Sequence, residues 1–162
     1  MPAFTGLGAP YWVPGVRAAI TGIERGTTRA HLVRAGLEAI AYQVADLFER
    51  MKDDAGHEKI QALRVDGGAS RNDFLMQFQA DMLGLPLERP HDLEVTARGA
   101  ALLAGRMSGL WADEAALRSQ WHPDRVFVPG MKPRERERLY SGWRTAVDDL
   151  LSRRADRVCR GL

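Results

Sequence analysis

The chain has 162 residues, 45% of them hydrophobic, which is enough for the core of one globular domain and argues against two. Its 23 basic and 21 acidic residues nearly balance and are interspersed, so the high pI does not indicate a nucleic-acid surface. A single cysteine, Cys159, excludes an internal disulfide or thiolate metal cluster, and His31, His57, His91 and His122 lack the i,i+4 pairing of an imidazole metal site. No apolar run reaches bilayer length, and no charged-then-apolar leader follows Met1, so the expected location is the cytoplasm and no membrane partner is expected.

In chain order, the segment Phe4-Thr5-Gly6-Leu7-Gly8-Ala9-Pro10-Tyr11-Trp12-Val13-Pro14-Gly15 reads as an ordered irregular loop with its aromatic side chains buried. A short strand or extended piece is expected over Arg17 to Ile23. From about Thr28 to Met51 the spacing predicts an amphipathic helix capped by Thr27 or Thr28. Val33, Leu37, Ile40, Val44, Leu47, Phe48 and Met51 would form its inner face, and Asp53-Asp54-Ala55-Gly56 its end. A strand from about Ile60 to Val65 leads into Gly67-Gly68. Ser70 with Asp73 then makes a capping-box-like start for a helix to Leu83, with Phe74, Leu75, Phe78 and Met82 inward.

Gly84-Leu85-Pro86 closes that helix before a short strand, Leu87 to Arg89. Thr96 can cap a helix from Ala97 to about Met107, whose Gly99–Gly105 run of small residues permits close packing. A short helix near Asp113 to Arg118 follows. The last helix starts at Pro133, a favoured first-turn residue, with Leu139, Trp143, Val147 and Leu150 on one face. Residues 1–152 would form the folded part and residues 153–162, with Arg153, Arg154, Arg157 and Arg160, a solvated basic tail. The order is that of an α/β fold with a small parallel sheet and packed helices. Two or three short strands cannot cover four substantial helices, so the first strands of the domain are expected to be lacking.

The functional signal is strongest at Val65-Asp66-Gly67-Gly68-Ala69. Paired glycines at the carboxyl end of a strand let a ligand approach the backbone. The helix after them turns unpaired N–H groups and a positive dipole end toward the same place, which suits a nucleotide or another anion. Read alone, such a strand-to-helix glycine pair is more often plain turn chemistry.

These segments together resemble the C-terminal half of the glycerol kinases, within the wider carbohydrate kinases of the actin-like (ribonuclease H-like) ATPase fold. The resemblance runs through Phe4–Trp12, Val65–Ala69, Asp73–Asp81, Glu88-Arg89-Pro90, Glu94–Ala97 with Gly99-Ala100-Ala101, and Tyr140–Trp143, covering about Pro2 to Leu151. It implies ATP-dependent phosphorylation of glycerol to glycerol 3-phosphate, with Mg²⁺ accompanying ATP or ADP. Gly68 and Asn72 match nucleotide contacts, with Gly67 and Ala69 flanking the adenosine. It also implies that the catalytic base, the glycerol-holding residues and the phosphate loops lie in preceding parts of such enzymes. The chain would then be inactive alone and partnered by an N-terminal kinase domain, with a homo-oligomer as a further option. Asp66 reads as a structural strand-end carboxylate rather than a base. Val13, Ala18, Asp73 and Arg98 depart from the family pattern, with Asp73 expected to serve the helix cap. The alternatives are another sugar or polyol kinase, such as a xylulose kinase, or a non-enzymatic docking or dimerisation fragment around Pro129–Lys132.

Overall fold

The computed structural model describes residues 1–55 and 60–159; the expected helix stop at Gly56, His57 and Arg160 of the tail lie outside the described residues. Its helices are α1 (Arg29–Ala55), α2 (Asp73–Leu83), α3 (Val95–Met107), α4 (Glu114–Arg118) and α5 (Pro133–Cys159). The strands are β1 (Leu63–Arg64), β2 (Leu87–Pro90) and β3 (Pro123–Phe127), and a 3-10 turn spans Gly68–Arg71. No helix among the described residues is long and apolar enough to cross a membrane.

The expected α/β arrangement with a small sheet is present, and β1 pairs with β2 in parallel as expected. The sheet is mixed, however, because β3 adds antiparallel to the other edge of β2, in the order β1-β2-β3. The expected strand near Arg17–Ile23 does not form. Ala19 instead exchanges backbone hydrogen bonds with Met1, and nothing else there propagates a ladder.

Most helix ends follow from local chemistry. Thr28 accepts from the His31 backbone while the His31 ring accepts from the Thr28 backbone, a reciprocal cap on α1. Asn72, not Ser70, caps α2: its Oδ1 accepts from Leu75 N at 3.0 Å. Gly84 ends α2 in the left-handed conformation, φ 67°, where other residues are strained. Glu94 precedes α3 without a side-chain cap, and Thr96 lies inside the helix. Asp113 caps α4 through Ala116 N.

The core lies where α2 crosses between α1, α5 and one sheet face. Tyr42 of α1 stacks on Trp143 of α5 at 5.3 Å and meets Phe78 of α2 edge-on at 5.4 Å. Leu75, Leu87, Phe127 and Val147 are fully buried around them. Asp46 of α1, also buried, accepts from Tyr140 Oη and Trp143 Nε1, both at 2.8 Å, and ties α5 onto α1.

Two expectations about burial are corrected. Phe4 and Trp12 are 82% and 76% exposed; the opening loop is anchored instead by Ala3, Leu7 and Val16, with Leu7 and Val13 bridged through their backbones. On α1 the face that packs carries Ala41, Tyr42, Ala45 and Phe48, while Val33, Ile40, Leu47 and Met51 are exposed. Positions 40 and 42 sit about 200° apart around the axis, so α1 is apolar on two sides and only one is covered. On α2, Phe74 is likewise partly exposed.

Candidate functional site

The chain leaves β1 through Val65, whose N–H still reaches the Glu88 carbonyl at 3.0 Å, and turns sharply at Gly67. Gly67 has φ 78° and ψ 173°, a conformation essentially reserved for glycine. Its N–H donates to the Leu93 carbonyl at 3.2 Å, which pins the start of the turn. The buried Ser70 folds the 3-10 turn back on itself: its Oγ and N–H both donate to the Gly67 carbonyl, at 2.7 and 3.1 Å. Asn72 then caps α2; Gly68, Ala69 and Asn72 are exposed and Gly67 is partly so. A side chain placed on Gly67 or Gly68 would meet nothing within 4 Å, so the turn presents bare backbone to open space. Asn72 spends its Oδ1 on the cap; among the described residues its Nδ2 group donates to nothing, and it remains available to a ligand.

Three further residues hold this turn. Arg89 of β2 reaches past the end of β1 and donates to the Ser70 carbonyl at 2.9 Å and to Asp73 Oδ1 at 2.8 Å. Arg125 of β3 binds the other Asp73 oxygen. Arg89 and Arg125 are cross-strand partners, and like charges so placed repel. Asp73 sits between them and offsets one of the two charges, Asp124 lies 3.7 Å from Arg89, and both guanidiniums lie over the Phe127 ring, at 5.2 and 4.7 Å. Asp73 is therefore not the cap expected for it but a bridge. The Arg89 hydrogen bond, with Arg125 adding its charge, holds its carboxyl below the usual range. Sequence reading passed over Arg89 and Arg125 as site residues. The available signal was a basic residue on the same face as the apolar Leu87 in a four-residue strand, directly beside the glycine turn.

Asp66 is exposed just before the turn. Arg98, another departure, bonds the Gln120 carbonyl and links α3 to the approach to β3. Two concavities of about 610 and 570 Å³ lie elsewhere, one around Asp46, Tyr140 and Arg144, the other around Arg34, Phe74 and Arg138. Neither includes the glycine turn. Among the described residues no group of three His, Cys, Asp or Glu side chains is placed to hold a metal.

An α/β layer whose strand ends in an open glycine turn at a helix start suits a domain that binds a nucleotide or another anion. Residues 1–108 match the FGGY family of carbohydrate kinases, C-terminal domain, and the chain belongs to that family. More particularly, it is 57% identical over 147 residues to the glycerol kinase of Pseudothermotoga lettingae, and 58% identical over 147 residues to glycerol kinase 2 of Thermotoga maritima. Each match covers 91% of this chain and 29% of the relative, so the chain spans under a third of those enzymes. The crystal structure of Plasmodium falciparum glycerol kinase with ADP superposes with a TM-score of 0.84 at 38% identity, covering 93% of this chain and 30% of that one. Xylulose kinase of Lactobacillus acidophilus has a TM-score of 0.74 at 24% identity, over 91% of this chain and 30% of that one, and shares the fold alone. The fold is the actin-like ATPase fold of carbohydrate kinases, as expected from the sequence.

Proposed function

We propose that this chain supplies the nucleotide-holding face of a glycerol kinase, which transfers the γ-phosphoryl group of ATP to a glycerol hydroxyl and releases ADP. The observation that carries this reading is the turn at Gly67–Asn72: open backbone, an amide donor and a helix start within six residues, in a chain more than half identical to glycerol kinases. The adenosine would lie against Gly67, Gly68 and Ala69, where no side chain obstructs it. Asn72 Nδ2 would donate to the nucleotide while its Oδ1 keeps α2 capped. Mg²⁺ would arrive with the nucleotide, held by its phosphates and neutralising charge as transfer proceeds.

In the reaction a glycerol oxygen bonds to the γ-phosphorus as the bond to the ADP oxygen breaks, and the hydroxyl proton passes to a base. The resemblance assigns that base and the glycerol contacts to the N-terminal part of such enzymes. This chain's task is then to fix one substrate for in-line attack. The exposed α1 stripe of Val33, Ile40, Leu47 and Met51, with strands of only two, four and five residues, supports a seat for the rest of a kinase. A xylulose kinase reading has only fold-level likeness behind it.

The test is a coupled assay of ADP formation from Mg-ATP. The chain alone should show no glycerol-dependent release. Mixed with the separately produced N-terminal part of the Pseudothermotoga lettingae enzyme, it should show release with glycerol and not with xylulose. A mixture that co-elutes yet stays inactive with glycerol, or prefers xylulose, would contradict the proposal.

A further inference from the structure

We infer that Arg89 is a positioning residue for the nucleotide: it presets the Gly67–Asn72 turn in its binding shape without itself touching the ligand. The inference rests on the nucleotide reading of that turn and extends it to a residue outside the loop. Arg89 is the one side chain among the described residues that hydrogen-bonds both the 3-10 turn, at the Ser70 carbonyl, and the first residue of α2, at Asp73. Its side chain is only 13% exposed; Nη1 donates to both acceptors, while Nη2 lies 3.7 Å from Asp124. From β2 it crosses the end of β1, so it fixes the turn to the sheet rather than to its own helix. Arg125 cannot substitute, because it reaches Asp73 alone.

The physical consequence concerns pre-organisation. Gly67 and Gly68 have more accessible backbone conformations than any other residue pair, and an unrestrained glycine turn must lose that freedom when ligand binds. Ser70 closes the turn from within through the Gly67 carbonyl. Arg89 holds the carbonyl of the same residue, in the next peptide, and so limits how far the turn can rotate against α2. Asp73 serves this arrangement by cancelling the charge of Arg125, which would otherwise repel Arg89 across the strands. The ring of Phe127 supports the guanidinium from below.

The test compares the wild-type chain with Arg89→Met, which keeps an unbranched apolar side chain and removes the donors, and with Arg89→Lys, which restores one charged donor. Amide hydrogen exchange by mass spectrometry needs no ligand. Arg89→Met should speed exchange over Gly68–Asn72 at least tenfold with α1 and α5 unchanged, and Arg89→Lys should fall between. Calorimetric titration with Mg-ADP should show a Kd raised at least tenfold by Arg89→Met and partly recovered by Arg89→Lys. Exchange that quickens throughout the chain would mean a merely structural role and overturn the inference. So would wild-type binding that Arg89→Met leaves within twofold. If the folded wild type does not bind Mg-ADP, the nucleotide reading itself falls and the positioning role with it, a result separate from the two before.

Discussion

Asp46 is the polar group on which the seating of the last helix depends most. It is 5% exposed, and its two oxygens accept from Trp143 Nε1 and Tyr140 Oη, each at 2.8 Å. Asp46→Ala removes both acceptors at once. A hydrogen bond to a charged group contributes about 1.5–3 kcal/mol, and a buried donor left unpaired costs about 1–3 kcal/mol. The Trp143 indole is buried and loses the full amount, whereas the half-buried Tyr140 hydroxyl can take water from the adjoining cleft. The expected loss is therefore about 3–4 kcal/mol, a large part of the roughly 5–15 kcal/mol that stabilises a domain of this size. Asp46→Asn keeps both contacts in neutral form, its Oδ1 accepting from the indole and its Nδ2 donating to the phenol oxygen, and should lose about 1 kcal/mol. Urea unfolding followed by circular dichroism measures both, with the slope of the transition checked for constancy. A loss below about 1 kcal/mol for Asp46→Ala, with the slope unchanged, would refute the claim that this carboxylate fastens α5 to α1.

Three other outcomes are expected. Gly68→Val should leave the melting temperature within about 2 °C, since its side chain enters open space, yet weaken Mg-ADP at least tenfold in a titration; unchanged affinity would remove Gly68 from the site. Gly67→Ala should destabilise by about 1–3 kcal/mol in urea, because φ 78° with ψ 173° is strained for any L residue. Asp73 has a folded-state pKa below its ordinary 3.8, so its ionised form favours folding above that value and the contribution fades as pH falls through the lower folded value. Asp73→Asn should accordingly flatten the acid limb of a stability–pH profile, and an unchanged limb would count against the Arg89–Asp73–Arg125 bridge.

What could be read from the sequence was mostly local. The helices at α1, α2 and α5 announce themselves through spacing and end signals, and Pro133 opens α5 as expected. The glycine turn was legible because paired glycines after an apolar strand have few other uses. β3 was not, since Pro-Asp-Arg-Val-Phe lacks alternation and becomes a strand only by pairing with β2, where Phe127 faces Leu87. Periodicity identified the Val33–Met51 stripe but could not say which apolar side of α1 would find a partner within the chain. The Arg89–Asp73–Arg125 bridge was hidden for a related reason: its members stand 16 and 52 residues apart, and only the antiparallel register brings them together.

The central claim is that the Gly67–Asn72 surface holds the nucleotide. A two-dimensional amide NMR titration of the ¹⁵N-labelled chain with Mg-ADP tests it most directly, because it reports binding and its place together. Saturable shifts concentrated at Gly67, Gly68, Ala69 and Asn72, and at the Asn72 side-chain amide, are expected. Shifts confined to the clefts around Asp46 or Arg34, or a well-dispersed spectrum that ADP leaves unchanged, would contradict it.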